Sequence, residues 1–162
     1  MEIKVIFLDF DGVLNDANLP AGFAEGWPES HLETHLIKKI NKIVKTINDK
    51  DAQKNIKTKI VISSSWRKRF TLDELKEMLQ NKGLEADVID VIPNILSASG
   101  KHIPRGVKIN AWLDSSKDTV VGFVILDDVY DMEHLKLKLV HINDATGITD
   151  EDVEKAIKIL QY

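Results

Sequence analysis

Asp9 and Asp11 stand two residues apart where the apolar run Val5-Ile6-Phe7-Leu8 ends, and Gly12 follows them directly. Two carboxylates this close call for a cation or a shared proton, and carboxylate oxygens suit a hard divalent ion such as magnesium. A turn of the Asp-x-Asp-Gly kind, with short side chains capping backbone groups, is the plainer alternative. Two further apolar runs end in a similar way. Lys59-Ile60-Val61-Ile62 leads into Ser63-Ser64-Ser65-Trp66-Arg67, and Val120 to Leu126 leads into Asp127-Asp128, with Asp131 close behind. Acids and hydroxyls closing three such runs make one polar site if the runs are neighbouring parallel strands, because ligands of open α/β sheets bind at the C-terminal strand edge.

The elements that would hold these residues can be read from periodicity. Short continuous apolar runs rich in β-branched residues suit strands buried on both faces, as in a parallel sheet. Leu32, Leu36, Ile40, Ile43, Val44 and Ile47 follow a three-and-four spacing that predicts an amphipathic helix over residues 31–48. Thr71-Leu72-Asp73-Glu74 is a capping-box pattern opening a second helix that Gly83 stops. Residues 86–92 predict another strand ended by Pro93, Pro104 opens a helix, and residues 149–160 form a closing helix with Val153, Ala156, Ile157 and Leu160 inward. Residues 50–57 read as a solvated loop, and 16–30, with Pro20, Gly22, Gly26 and Pro28, as a short cap or flap loop. The expected fold is α/β, a three-layer sandwich around a central, mostly parallel Rossmann-like sheet, one domain over residues 1–162 with no large cap.

With these motifs in place, the chain resembles the haloacid dehalogenase (HAD) superfamily of aspartyl phosphatases. The resemblance rests on Asp9, Asp11, Gly12 and Val13, on the serines ending the second strand, on a basic residue near a helix start, and on the acid pair Asp127-Asp128. More narrowly, Phe7 to Asn15, Ile62 to Arg67, Ala111-Trp112-Leu113, Ile125 to Asp128 and the tail Leu139 to Thr149 resemble the HAD domain of Swiss-army-knife-type RNA repair proteins, found beside RNA ligases.

Phosphate monoesters hydrolyse very slowly in water, so an enzyme must supply a placed nucleophile and screen the phosphoryl charge. A carboxylate can be that nucleophile, forming an aspartyl-phosphate that water later breaks. The resemblance implies that Asp9 attacks phosphorus and that Asp11 serves as general acid and then as base. It implies magnesium held by Asp9, the backbone carbonyl of Asp11 and an acid of the Asp127-Asp128 pair. Adjacent acids on an extended strand point opposite ways, so one ligates while the other orients; Asp128 is favoured as ligand, with Asp127 the alternative. Asp131 is either a further acid of the site or a charge at the start of the segment that follows.

One serine hydroxyl should bind a phosphate oxygen. Counting from the strand end favours Ser63, whereas aligning Ser64-Ser65-Trp66 with the Thr-Ser-Trp of some relatives favours Ser64. Trp66 is either core or a surface for stacking a base. Arg105, followed by Gly106, matches the family's cationic position, with Lys101 and Lys108 as competitors. Phe23 and Trp27 could contact a bulky substrate or anchor their loop, and Arg67, Lys68 and Arg69 could guide a phosphodiester backbone or face solvent.

Composition sets the bounds. The chain has 162 residues, no cysteine and a formal net charge of −4, which argues against broad electrostatic capture of nucleic acid without excluding local contacts. No apolar run suits a membrane span, so a cytoplasmic protein with no membrane partner is expected. His31 and His35, four apart, read as an exposed helical face, not a zinc site. The leading expectation is a magnesium-dependent phosphomonoesterase acting on nucleotide or polynucleotide end phosphates. A small-metabolite phosphatase, a phosphotransferase and a non-catalytic phosphate-binding module of the same fold are the alternatives, and the oligomeric state is open.

Overall fold

The computed structural model describes residues 1–16 and 28–162. Five strands form one sheet: β1 Glu2–Leu8, β2 Lys57–Ile62, β3 Val88–Val91, β4 Thr119–Asp127 and β5 Leu139–His141, in the order β3-β2-β1-β4-β5. Every pairing is parallel, so all five C-terminal ends lie at one edge. The expected mostly parallel sheet is therefore wholly parallel, and the three-layer α/β architecture stands. β1 is central. Its neighbours are β2, followed directly by Ser63, and β4, which ends in Asp127, so these two residues lie on either side of Asp9.

Alternation along the strands divides the core in two. Ile6, Leu8, Ile60, Ile62, Val124 and Leu126 face α1 (Thr34–Lys50), α2 (Leu72–Asn81) and α4 (Asp150–Leu160). Ile3, Val5, Phe7, Val61 and Ile125 face Ile109 and Trp112 of α3 (Arg105–Ser115), with Met132 and Leu135 beside them. Phe7 meets Trp112 edge to face at 5.5 Å. These two layers clamp β1 from both sides and fix the direction in which Asp9 leaves the sheet.

Helix starts follow the local sequence. Both Thr71 and Thr149 make complete capping boxes, with Glu74 and Asp152 returning the bond. α1 begins at Thr34, later than expected, because residues 28–31 form a separate 3-10 turn; Leu32 is buried all the same. The third strand is shorter than residues 86–92, since β2 pairs with it only from Val88 onward. A correction applies to residues 50–57. They are not simply a solvated loop: Asp51 is buried and meets Lys4 Nζ at 2.8 Å before the 3-10 turn Ala52–Lys54. Lys4 lies in β1 with its side chain buried against Gly122, and a buried charge needs a partner.

No helix among the described residues is long and apolar enough to cross a membrane. Phe23, Trp27 and most of the expected flap at 16–30 lie outside the described residues.

Candidate active site

The sheet continues as main-chain bonds past its strand ends. Asp9 N donates to Leu126 O at 3.1 Å, Ser63 N to Leu8 O at 2.9 Å and Ile142 N to Asp127 O at 2.8 Å. This lattice lines up the first residues beyond β1 and β2 with the last residue of β4. Asp9, Asp127 and Asp128 each offer a carboxylate oxygen, all within 4.8 Å of one another. Arg105, the first residue of α3, reaches in from the other layer: its Nη1 lies 2.7 Å from Asp127 Oδ2 and 3.3 Å from Asp9 Oδ1.

Three carboxylates against one guanidinium leave this cluster with two negative charges in excess. Asp9 shows the consequence. Burial, then Asp127, pushes its carboxyl well above the usual carboxylate range, and Arg105 does not offset them. Burial also raises Asp127 against the pull of Arg105. Burial works against the Arg105 charge, but Asp9 and Asp127 outweigh it and the guanidinium is held above its ordinary value. A hard divalent cation among these oxygens would balance the charge, so the residues fit magnesium. Asp128 has the freer carboxylate of the pair. Asp127 already accepts from Arg105 through Oδ2 and from Val129 N through Oδ1 at 3.1 Å.

Gly12 is needed twice. Its φ is +81°, and a Cβ there would overlap the Asp128 carboxylate, so only glycine lets β1's turn come this close to the acid.

The Asp11 carboxylate turns away from the acid cluster. Its Oδ2 accepts the indole Nε1–H of Trp66 at 3.0 Å and its Oδ1 accepts Asn15 Nδ2 at 3.2 Å, while Asn15 Oδ1 accepts Gly12 N at 3.0 Å. Asp11 is thus aimed by two side chains, one of them from beyond β2. Trp66 packs edge to face on Phe10 at 5.2 Å, so the ring lies in the core while its N–H serves the site. Spacing along the chain carries no signal for that bond, which joins residues 55 apart.

The serines separate by the bonds they already make. Ser64 Oγ accepts Trp66 N at 3.2 Å and caps the 3-10 turn Ser65–Lys68. Among the described residues Ser63 Oγ is buried with no partner, at the end of the strand. Arg67 corrects an expectation. It is buried, its Nε bonds Ile92 O at 3.0 Å and its Nη1 bonds Ser64 O at 2.9 Å, so it pins this turn to the end of β3; Lys68 and Arg69 are exposed. Burial, then Arg105, lowers its pKa.

Of the three basic candidates, Lys101 is exposed and Lys108 sits one turn beyond Arg105 on α3, half-buried, with its pKa lowered by burial and by Arg67, Lys68 and Arg105. Asp131, in the connection after β4, bonds the start of α3. Its Oδ2 accepts Arg105 N at 3.3 Å and pairs with His102 Nε2 at 2.8 Å. His35 is exposed beside Glu33.

This geometry is that of an acid cluster, a clamped guanidinium and a free hydroxyl at one strand edge. The family model of the HAD domain in Swiss Army Knife RNA repair proteins matches residues 5–153. The chain belongs to this family. No curated protein and no solved structure matches it significantly. A HAD domain carries phosphatase-type hydrolysis in general, and in this one Arg105 depends on Gly106 for its reach. Gly106 N bonds Asp131 O at 3.0 Å, and a Cβ on Gly106 would lie 2.7 Å from Met132 Cα and overlap the Met132 carbonyl. Gly106→Ala must therefore push α3 off the 131–132 segment. We expect it to cost about 3 kcal/mol in chemical denaturation, as overpacking against backbone does. An unchanged denaturation midpoint would show that α3 can move without penalty.

Proposed function

We propose that this HAD domain is a magnesium-dependent phosphomonoesterase that works through an aspartyl-phosphate on Asp9 and removes phosphate from the ends of nucleic acids. The observation that carries the reaction is the buried Asp9 carboxylate, paired with Arg105 and flanked by Asp127 and Asp128, beside the unpartnered Ser63 hydroxyl. Membership of a family described from RNA repair proteins supports the substrate, with RNA the first polynucleotide to test.

The residues divide the work as follows. An Asp9 oxygen attacks phosphorus as the bond to the leaving oxygen breaks, and Asp11, protonated in this step, gives that oxygen its proton. Arg105 and the Ser63 hydroxyl donate to the phosphoryl oxygens and hold the group in line. In the second step Asp11, now a carboxylate, takes a proton from water, the water oxygen bonds phosphorus, and the Asp9–phosphorus bond breaks to release inorganic phosphate. Magnesium, held by Asp9, Asp128 and the Asp11 carbonyl, would supply neutralisation of the phosphoryl charge.

The test is phosphate release from oligonucleotides bearing a 3′- or a 5′-phosphate, from mononucleotides and from sugar phosphates, with magnesium and with a chelator. We expect kcat/KM on one oligonucleotide end to exceed that on sugar phosphates by about 100-fold or more, and the chelator to abolish release. Equal rates on sugar phosphates would replace this substrate with small metabolites. Full activity in chelator would remove the metal from the reading.

A further inference from the structure

Tyr130 is 74% exposed yet not loose. Its ring lies flat on His141, with centroids 3.7 Å apart and planes 4° from parallel. His141 is itself fixed: it ends β5 opposite Asp127 in the strand register, and its Nε2–H donates to the Asp128 carbonyl at 2.9 Å. The chain between is tied at both ends, by Val129 N on Asp127 Oδ1 and by Met132 N on Tyr130 O at 2.7 Å. A lone exposed aromatic is ordinary. Here the ring is already stacked and anchored to the backbone of the acid pair, two residues from Asp128, a span of at most about 7 Å.

On the reading that the substrate is a nucleic-acid end, we propose that Tyr130, backed by His141, is the platform on which the base of the phosphate-bearing nucleotide stacks. With one face on His141 and most of the side chain open to water, the ring meets no other aromatic side chain among the described residues. Half-exposed Val129 extends the apolar rim next to it. A prestacked ring gives up little freedom when a base arrives. Stacking accepts every base because each has a π-face, so the platform selects nucleotides over sugar phosphates without reading sequence. It also stands on the β4-β5 side of Asp9, opposite the turn that carries Trp66 and Arg67.

The experiment uses the full chain and two oligonucleotides with the same terminal phosphate, one of which lacks the base on the phosphate-bearing nucleotide. Wild-type KM should be about tenfold or more higher on the abasic end. Tyr130→Ala should raise KM on the normal end by a similar factor, leave kcat within about twofold and leave the abasic end unchanged. Tyr130→Trp should restore the normal KM. Equal wild-type KM on both ends, or a Tyr130→Ala effect of the same size on both, overturns the platform while the proposed reaction stands. No release from either oligonucleotide by the wild-type chain overturns the nucleic-acid reading, and the platform falls with it.

Discussion

Asp9→Asn is expected to abolish phosphate release, by at least about 10⁴-fold in kcat, while the protein stays folded. The amide has the volume of the carboxylate but cannot supply the attacking oxygen, and on the proposed reading the Asp128 carboxylate is committed to the metal. Asp127 is occupied by Arg105 and Val129 N, and Asp11 is turned toward Trp66. The effect on stability has the opposite sign. The Asp9 carboxyl is pushed well up by burial and by Asp127, so its charge is a cost to the folded chain that Arg105 does not remove. The amide carries no such cost, although it gives up the contact with Arg105 at 3.3 Å. The thermal midpoint without metal should be unchanged or higher by a few degrees, on the scale of about 1 kcal/mol. Magnesium should raise the midpoint of the wild-type chain and raise that of the variant much less. Residual turnover above about a hundredth of wild type would mean that Asp9 is not the nucleophile.

How much of this could be read along the chain depends on the range of the interaction. The three strand ends were legible because the C-terminal halves of β1, β2 and β4 are buried on both faces, so their apolar runs are continuous there and break where polar residues begin. Arg105 was singled out by the helix that Pro104 opens and by its resemblance, with Gly106, to the family's basic position, with Lys101 and Lys108 left as competitors. The choice between Ser63 and Ser64 was not. It turns on which hydroxyl is spent on capping Trp66 N, and only the turn geometry decides that. Asp131 was open between two readings and took up a third, since its partners His102 and Arg105 N lie more than 20 residues earlier. The burial of Asp51 escaped the reading of residues 50–57 because Lys4, its partner, comes from β1, and a polar segment gives no sign of one buried acid within it. Tyr130 on His141 is of the same kind, a contact across the β4-β5 connection that neither residue announces.

The bond from Trp66 to Asp11 has its own consequence for catalysis. Asp11→Asn should lower kcat by about 10²- to 10⁴-fold on substrates with a poor leaving group, the usual worth of a placed general acid. Trp66→Phe keeps an aromatic ring against Phe10 and deletes the N–H that Asp11 Oδ2 accepts, together with part of the buried ring volume. With Asn15 as the remaining side-chain donor to Asp11, the carboxylate can swing, and about one hydrogen bond's worth of positioning, close to tenfold in kcat, should be lost with KM little changed. A purely structural Trp66 would behave differently. Its variant would show the same loss with every substrate. A positioning Trp66 instead predicts that the loss shrinks as the leaving group improves, because a good leaving oxygen needs less help from a proton. Comparing an alkyl phosphate end with an activated aryl phosphate in the two variants reads this directly: parallel shrinkage in Asp11→Asn and Trp66→Phe would place both on the leaving-group proton, and a Trp66→Phe loss that ignores the leaving group would remove it from that role.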